Sequence, residues 1–214
     1  MYTGIVQGAY AIGHVERKSG LHVFAIELPE PLLVDLSIGA SVAIDGVCLT
    51  VTAINGSKVS FDVMQQTLSV TTLGTLGEGD RVNIERSAKH GAEIGGHIIS
   101  GHVDGCAEVI SIEEPENNRF VTYRVPAAMM KYILSKGFIG INGCSLTVAE
   151  VDKAANTFTV CYIPETLRVT THGVKQLGSQ VNIEVDRQTQ AIVDTVESMF
   201  RDNPQILNEI LQRS

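Results

Sequence analysis

Ile44-Asp45-Gly46-Val47-Cys48-Leu49-Thr50-Val51 is written a second time as Ile141-Asn142-Gly143-Cys144-Ser145-Leu146-Thr147-Val148, 97 positions later, with the Gly, Leu, Thr and Val kept in place. The same offset pairs Thr3-Gly4 with Ser100-Gly101 and Gln7-Gly8 with Asp104-Gly105. After a two-residue insertion near Asp152 to Asn156, Thr67-Leu68-Ser69-Val70-Thr71-Thr72 returns as Thr166-Leu167-Arg168-Val169-Thr170-Thr171, and Val82-Asn83-Ile84-Glu85 as Val181-Asn182-Ile183-Glu184. So long a period is no solenoid unit, and it predicts two tandem domains. Divided between them, 214 residues give each a size near the lower end of the usual domain range.

Composition narrows the class. The chain is 44% hydrophobic, has no Trp and carries 20 Gly, which fits compact, turn-rich β domains better than a helical bundle. A net charge of −8 argues against nucleic acid as a partner, since a phosphate backbone calls for a basic stripe. Met1-Tyr2-Thr3-Gly4-Ile5-Val6 has no basic region followed by an apolar run, and no later stretch has the length of a membrane span, so a soluble, cytoplasmic protein is expected. Cys48, Cys106, Cys144 and Cys161 form no C-x-x-C pair, so neither a zinc site nor a redox motif is indicated. They read as free thiols, most simply as small buried hydrophobes.

Outward from the octapeptide, each half reads as six short strands. Thr3 to Val15, punctuated by Gly4, Gly8 and Gly13, reads as a strand, a bulge or tight turn, and a second strand. Leu21 to Leu28 alternates as a strand, and Leu32 to Leu36 makes one helical turn. Ser41 to Ile44 and Cys48 to Ile54 flank the hairpin signal Asp45-Gly46, and Lys58 to Val63 follows Asn55-Gly56. Gln65 to Leu68 reads as a short helix, and Arg81 to Glu85 closes the half. The pattern predicts a small antiparallel barrel or sandwich, a barrel having the advantage of no unpaired edges. Ser87 to Gly96 is the predicted linker. Asp104 to Ile112, Arg119 to Val125, a helical turn over Pro126 to Leu134, Phe158 to Ile163 and Gln180 to Val185 repeat the order.

A tail has no counterpart in the first half. Gln188 to Arg201 places Ile192, Val196 and Met199 at helical spacing, and Asn203-Pro204 opens a second predicted helix with Ile206, Leu207, Ile210 and Leu211 on one face. These faces either pack on the chain's own barrels or meet other copies of the chain in an oligomer.

The copies differ where chemistry could sit: Cys48 stands where Ser145 stands, Asp62 where Cys161 stands, and Ile5 where His102 stands, while Thr50 and Thr147 agree. Gly4, Gly46, Gly101 and Gly143 would let backbone approach a ligand, and the neighbouring Ser, Thr and Asn offer neutral donors and acceptors. That lining suits a planar, uncharged heterocycle with a polyol tail, and it lacks the cationic clamp a phosphate wants. His97 and His102, five apart, would point to opposite sides of a strand, which argues against a shared metal; His102 reads as a proton donor or acceptor, or as structural. No nucleophile elbow or Ser-His-Asp spacing indicates hydrolysis.

Met1-Tyr2-Thr3-Gly4-Ile5-Val6-Gln7-Gly8, the Gly46-x-Cys48-Leu49-Thr50-Val51 and Gly143-x-Ser145-Leu146-Thr147-Val148 pair, Gly95-Gly96-His97-x-x-Ser100-Gly101-His102-Val103-Asp104-Gly105 and Val181-Asn182-Ile183-Glu184-x-Asp186 together resemble the riboflavin synthase family, from Met1 to about Glu197. The resemblance implies two tandem six-stranded antiparallel Greek-key barrels (all-β; residues 1–97 and 98–187), with residues 188–214 a C-terminal helical segment for trimerisation. It implies conversion of two molecules of 6,7-dimethyl-8-ribityllumazine into riboflavin and 5-amino-6-ribitylaminouracil by transfer of a four-carbon unit, with no metal and no cofactor. It also implies a homotrimer in which each barrel binds one lumazine, the site forming where the first barrel of one subunit meets the second barrel of its neighbour. A lumazine synthase is a further implied partner.

Position by position, the family's substrate contacts fall on Gly4, Ile5 and Val6; on Cys48, Leu49 and Thr50; and on Asp62, Val63, Met64, Gln65, Gln66 and Thr67. They continue on Gly101, His102 and Val103; on Lys136; on Ser145, Leu146 and Thr147; and on Cys161, Tyr162, Ile163, Pro164, Glu165 and Thr166. His102, Ser145, Cys48, Thr147, Ser41 and Asp186 are the implied participants in proton transfer or nucleophile positioning. Two positions depart from the family pattern: Tyr2, where Phe is usual, and Asn142, where Asp is common, which would remove a charge beside Ser145. The competing expectation is a non-catalytic lumazine- or flavin-binding carrier or optical antenna.

Overall fold

A computed structural model describes residues 1–116, 118–203 and 205. The first half contains β1 (Gly8–Lys18), β2 (Leu21–Glu27), α1 (Glu30–Leu33), β3 (Ser41–Ile44), β4 (Val47–Asn55), β5 (Lys58–Met64), α2 (Gln65–Val70) and β6 (Arg81–Arg86). The second contains β7 (Gly105–Glu113), β8 (Arg119–Arg124), β9 (Phe138–Ile141), β10 (Cys144–Asp152), β11 (Thr157–Tyr162), α3 (Pro164–Val169) and β12 (Gln180–Val185), followed by α4 (Arg187–Asp202). The strands close two antiparallel barrels in one Greek-key order, β1-β2-β5-β4-β3-β6 and the same order six strands on. Bulges fall at matching places, between Val51 and Ala53 on β4 and between Val148 and Glu150 on β10, and add the local bend that closure of so small a barrel needs.

Several local expectations are revised. Thr3 to Val15 is not two strands: Gly13 is absorbed as a bulge inside the single strand β1, and Thr3 to Gln7 lies outside it. The first helical turn begins at Glu30, earlier than Leu32, because Pro31 fits the first turn of a helix, where no N–H partner is needed. The turn predicted over Pro126 to Leu134 is a 3₁₀ helix over Ala127–Tyr132. Of the four free cysteines only Cys144 is buried, so the small-hydrophobe reading holds for one and not for Cys48, Cys106 or Cys161. The helix expected after Asn203-Pro204 lies outside the described residues.

The barrels have separate cores, one built around Phe24, Phe61 and Ile84 and the other around Tyr123, Phe158 and Ile183, yet the segments leading into them are exchanged. Val6 packs in the second core, and Val103, its counterpart, packs against the first. Tyr2 and Ile99 pair where the two segments cross, with N···O distances of 2.8 and 3.1 Å. Gly4 O then accepts from Ser145 N, and Gly101 O accepts from Cys48 N, both at 2.8 Å. Two buried glutamates hold the crossing: Glu85 Oε1 accepts from Thr3 N and Oγ1 at 2.7 and 2.8 Å, and Glu184 accepts from Ser100 N, Ser100 Oγ and Gly101 N.

The octapeptide turns meet back to back. Asp45 and Asn142 both take positive φ, and a Cβ placed on Gly46 would lie 2.5 Å from Gly143 N. Asp45 Oδ1 accepts from Asn83 N and Asn142 Oδ1 from Asn182 N, at 2.8 and 2.7 Å. Asn83 Nδ2 donates across to Asn142 O and Asn182 Nδ2 to Asp45 O. Gly46 and Gly143 therefore approach each other and not a ligand, and the fully buried Asn142 is a turn residue whose side-chain oxygen is taken up by Asn182 N.

Burial pushes the Asp45 carboxyl up to about 6, against the opposing hydrogen bond from Asn83. The folded state thus holds a proton that the unfolded chain releases near pH 4, and stability declines as pH rises from about 4 through 6. Asp45→Asn keeps the acceptor for Asn83 N and copies the other half. Urea unfolding should find it more stable than the parent at pH 8, by on the order of 2 kcal/mol, and equal to it at pH 4.

Candidate functional site

Alternation along the octapeptide strands decides what can face a ligand. Cys144, Leu146 and Val148 point into the second core, whereas Ser145 and Thr147 point outward; Val47, Leu49 and Val51 against Cys48 and Thr50 repeat this in the first barrel. Candidate ligand-facing side chains therefore lie on the flanks of the barrels, not in their interiors. Beside Ser145 is a cleft of about 470 Å³, lined by Gly4, Ile5 and Val6 from the exchanged segment, Gly95 and Gly96 from the linker, Phe138, Cys144, Ser145 and Thr147, and Ile163, Glu165, Thr166, Val169 and Thr170 around α3. That volume is within the range of small-molecule sites, and the lining is mostly apolar with a few hydroxyls. A larger hollow of about 770 Å³ opens on the far side of Ile5, between α1 and the linker; neither octapeptide strand lines it.

The cleft brings together Gly4, Ile5, Val6, Ser145, Thr147, Ile163, Glu165 and Thr166 of the residues expected from sequence. Leu146 and Tyr162 turn their side chains into the second core, where the Tyr162 hydroxyl lies 2.7 Å from Tyr123 and 3.1 Å from His172 Nδ1. Cys161 faces Asn118, and Pro164 lines a neighbouring cleft with Asn118, Arg119 and Leu167. Lys136 takes φ +66 and donates its N–H to Val148 O.

On the first barrel, Cys48 and Thr50 stand beside the crossing segment that carries Gly101, His102 and Val103. Leu49 and Val63 are core side chains, Asp62 and Met64 are exposed on β5, and Gln65, Gln66 and Thr67 form the first turn of α2. Ser41 pairs with Thr50 across β3 and β4. The Tyr2 hydroxyl donates to Cys48 Sγ at 3.0 Å, and burial raises its pKa.

His102 is exposed on the crossing segment; its N–H donates to Ser100 Oγ and its carbonyl accepts from the Arg187 guanidinium. Asp186 caps α4, accepting from Thr189 N and Oγ1 at 2.8 and 2.7 Å. Partial burial opposes its ionisation, but these bonds prevail and hold the carboxyl below its usual value. The histidine that reaches Ser145 is His97: its Nδ1 is 2.6 Å from Ser145 Oγ, and its N–H donates to the same oxygen at 3.1 Å. Its ring stacks on Phe138 with centroids 5.1 Å apart. Sequence reasoning passed over it because position 97 less the repeat offset falls before Met1, so no counterpart marks it. Among the described residues, no group of three or more His, Cys, Asp or Glu is placed to hold a metal ion.

The model of the lumazine binding domain matches this chain twice, over residues 3–87 and 100–186. The chain belongs to the lumazine binding domain family. Within it, riboflavin synthase of Escherichia coli (strain K12) is 52% identical over 210 residues, covering 98% of each chain. Riboflavin synthase of Buchnera aphidicola subsp. Schizaphis graminum is 46% identical, over 94% of this chain and 96% of the relative. Among solved structures, LumP complexed with 6,7-dimethyl-8-(1'-D-ribityl) lumazine superposes with a TM-score of 0.77 at 31% identity, over 86% of this chain and 99% of that one. LumP complexed with riboflavin gives 0.80 at 32%, over 87% and 100%.

The crossing sets a steric demand that can be measured. Gly4 has φ +75, and a Cβ there would lie 2.4 Å from Ser145 Cβ, whereas Gly20 has φ +74 with nothing within 4 Å. Gly20→Ala should cost about 1 kcal/mol for the left-handed backbone alone. Gly4→Ala should cost roughly 1–3 kcal/mol more, because the segment must lift from β10. Equal losses of stability in urea would mean that the contact between the segment and β10 is loose.

Proposed function

We propose that the chain catalyses the riboflavin synthase reaction: two molecules of 6,7-dimethyl-8-ribityllumazine become riboflavin and 5-amino-6-ribitylaminouracil by transfer of a four-carbon unit, without metal or cofactor. The observation that carries this is the 52% identity to a riboflavin synthase over 98% of both chains, with both octapeptides intact. A reaction between two copies of one molecule wants two similar sites held face to face. Such positioning can recover roughly 7 to 11 kcal/mol of a bimolecular barrier. The sites need different chemistry, because one lumazine gives up a proton from its 7-methyl group while the other accepts a nucleophile. Cys48 against Ser145, and His102 in the first-barrel site against Ile5 in the second, are the differences available.

We assign Gly4 to Val6, Lys136, Ser145 to Thr147 and Cys161 to Thr166 to one lumazine, and Cys48 to Thr50, Asp62 to Thr67 and Gly101 to Val103 to the other. Ser145, Thr147, Cys48, His102, Ser41 and Asp186 are the groups we infer to position protons or the nucleophile. Residues 1–97 and 98–187 are the two binding units, and residues 188–214 serve assembly into a homotrimer, first barrel against a neighbour's second. In support, Ile192, Val196 and Met199 on α4 are 65%, 45% and 53% exposed, while the opposite side of α4 ties down through Asp194 and Glu197 to Lys131 and through Asp194 to Tyr132. No helix among the described residues is long and apolar enough to cross a membrane. We place the enzyme in the cytoplasm, where its free thiols would stay reduced and association with a lumazine synthase could follow.

A second reading, a lumazine- or flavin-binding carrier, is favoured by the likeness to LumP. Incubation with the ribityllumazine separates the two: growth of riboflavin absorbance is expected, and stoichiometric binding with no flavin formed would leave the carrier. In the enzyme, Ser145→Ala should lower kcat far more than it weakens substrate affinity. Truncation after Arg187 should leave monomers on a sizing column, and a surviving trimer would refute the assembly role of α4.

A further inference from the structure

We propose that His97 is the positioning residue of the second-barrel site: it takes the hydroxyl proton of Ser145 as Ser145 Oγ takes one from the bound ligand. This rests on the synthase reading above. A hydroxyl has one hydrogen and two lone pairs. At Ser145 Oγ, one lone pair accepts the His97 N–H at 3.1 Å, and Nδ1 sits 2.6 Å away. If Nδ1 is bare, the hydroxyl hydrogen points at it and a lone pair is left facing the cleft. If Nδ1 carries a proton, it donates to Oγ and the hydroxyl hydrogen faces the cleft instead. The imidazole therefore decides whether Ser145 offers the ligand an acceptor or a donor.

The surroundings are built for this. A Cβ on Gly96 would lie 2.5 Å from Ser145 Cβ and 2.6 Å from Thr3 O, so only glycine lets the linker bring His97 to that oxygen. Phe138 of β9 stacks on the ring at 14°, leaving the imidazole edge for Oγ. His97 is 8% exposed and does not line the cleft, so it reaches a ligand only through Ser145. Desolvation lowers the imidazole's pKa, and Asp186, the charged group acting on it from the start of α4, pulls the other way; Ser145 on β10 and Phe138 on β9 bring no charge. Burial outweighs Asp186 and favours the free base over the imidazolium.

The first-barrel site has no equivalent, since Cys48 Sγ meets the Tyr2 hydroxyl, a donor over the working pH range. In the transfer, a C–H bond of the ligand breaks and its proton goes to Oγ, while the Oγ proton goes to Nδ1, leaving a delocalised ligand anion and an imidazolium. The reverse transfer restores the pair.

The test is kcat and KM against pH for the full chain and for His97→Asn, whose amide keeps a hydrogen bond to Oγ but cannot accept a proton. We expect kcat to fall about 100-fold with KM within threefold, and the acid limb of the parent's kcat profile, below pH 6.5, to vanish. A variant with the parent's profile, or with equal losses in kcat and in ribityllumazine binding, overturns the proposal. Should the variant not fold, ¹⁵N shifts of the parent imidazole decide: Nδ1 should appear as a bare acceptor that changes in Ser145→Ala, and a protonated Nδ1 indifferent to that substitution overturns the idea. A parent that binds the lumazine and makes no riboflavin defeats the synthase reading and this inference together, whereas an active parent with an indifferent variant defeats this inference alone.

Discussion

Two tight turns pressed against each other at Gly46 and Gly143 fix everything else in the molecule. Neither glycine could carry a Cβ, and each follows a left-handed residue, Asp45 or Asn142, tied by its side chain to the neighbouring strand. Asn83 and Asn182 complete the junction: each side chain donates to the opposite turn and accepts, at 2.8 Å, from the backbone of the opposite Thr-Thr pair, Thr171 or Thr72. Buried amides that would be costly unpaired leave the barrels one relative orientation. Asn142 Nδ2 and the hydroxyls of Thr72 and Thr171 are groups at this junction left without a partner.

From that orientation the site architecture follows. At the start of β10, Ser145 N bonds Gly4 O of the Thr3 to Val6 segment, and at the start of β4, Cys48 N bonds Gly101 O of the Ser100 to Val103 segment. Each barrel is therefore bordered by a segment from the other half of the chain, Thr3 to Val6 on the second and Ser100 to Val103 on the first. The carboxylates of Glu85 and Glu184 stop the exchanged segments from peeling away, each taking both a backbone N–H and a hydroxyl from the segment it anchors. Burial raises the Glu85 pKa against those same bonds, so the anchor is made at some electrostatic cost.

The repeat made the fold legible: the order of strands, the tail helix and most strand ends could be read from alternation and turn residues. The exchange could not. Val6 and Val103 look the same in sequence whichever core they enter, since an apolar residue beside a glycine carries no address. The same blindness misled the reading of Gly46 and Gly143 as ligand-facing, because a glycine required by another glycine is indistinguishable in sequence from one required by a substrate. His97 was hidden for a different reason: its role depends on a linker that exists once, so comparison of the copies had nothing to set beside it.

At four positions where the copies differ, the second carries the added strain or polarity. Gly39 takes φ +89 and donates its N–H to Val51 O; Lys136 does the same to Val148 O at φ +66, a conformation that costs a side-chain-bearing residue roughly 1 kcal/mol or more. Glycine serves the backbone equally well in the first barrel, so the turn itself does not call for a lysine. Ile26, Val63 and Leu73 of the first core are replaced by Tyr123, Tyr162 and His172, a hydrogen-bonded chain that ends on Ile141 O, with burial pushing His172 down to about 3. That chain is neutral and internally satisfied, and it stiffens β9 and β11 on either side of the strand carrying Ser145. On the proposal made for Ser145 and His97, the second barrel is the one in which an oxygen is held to a fixed direction, and its core differs from the first in the way that does so.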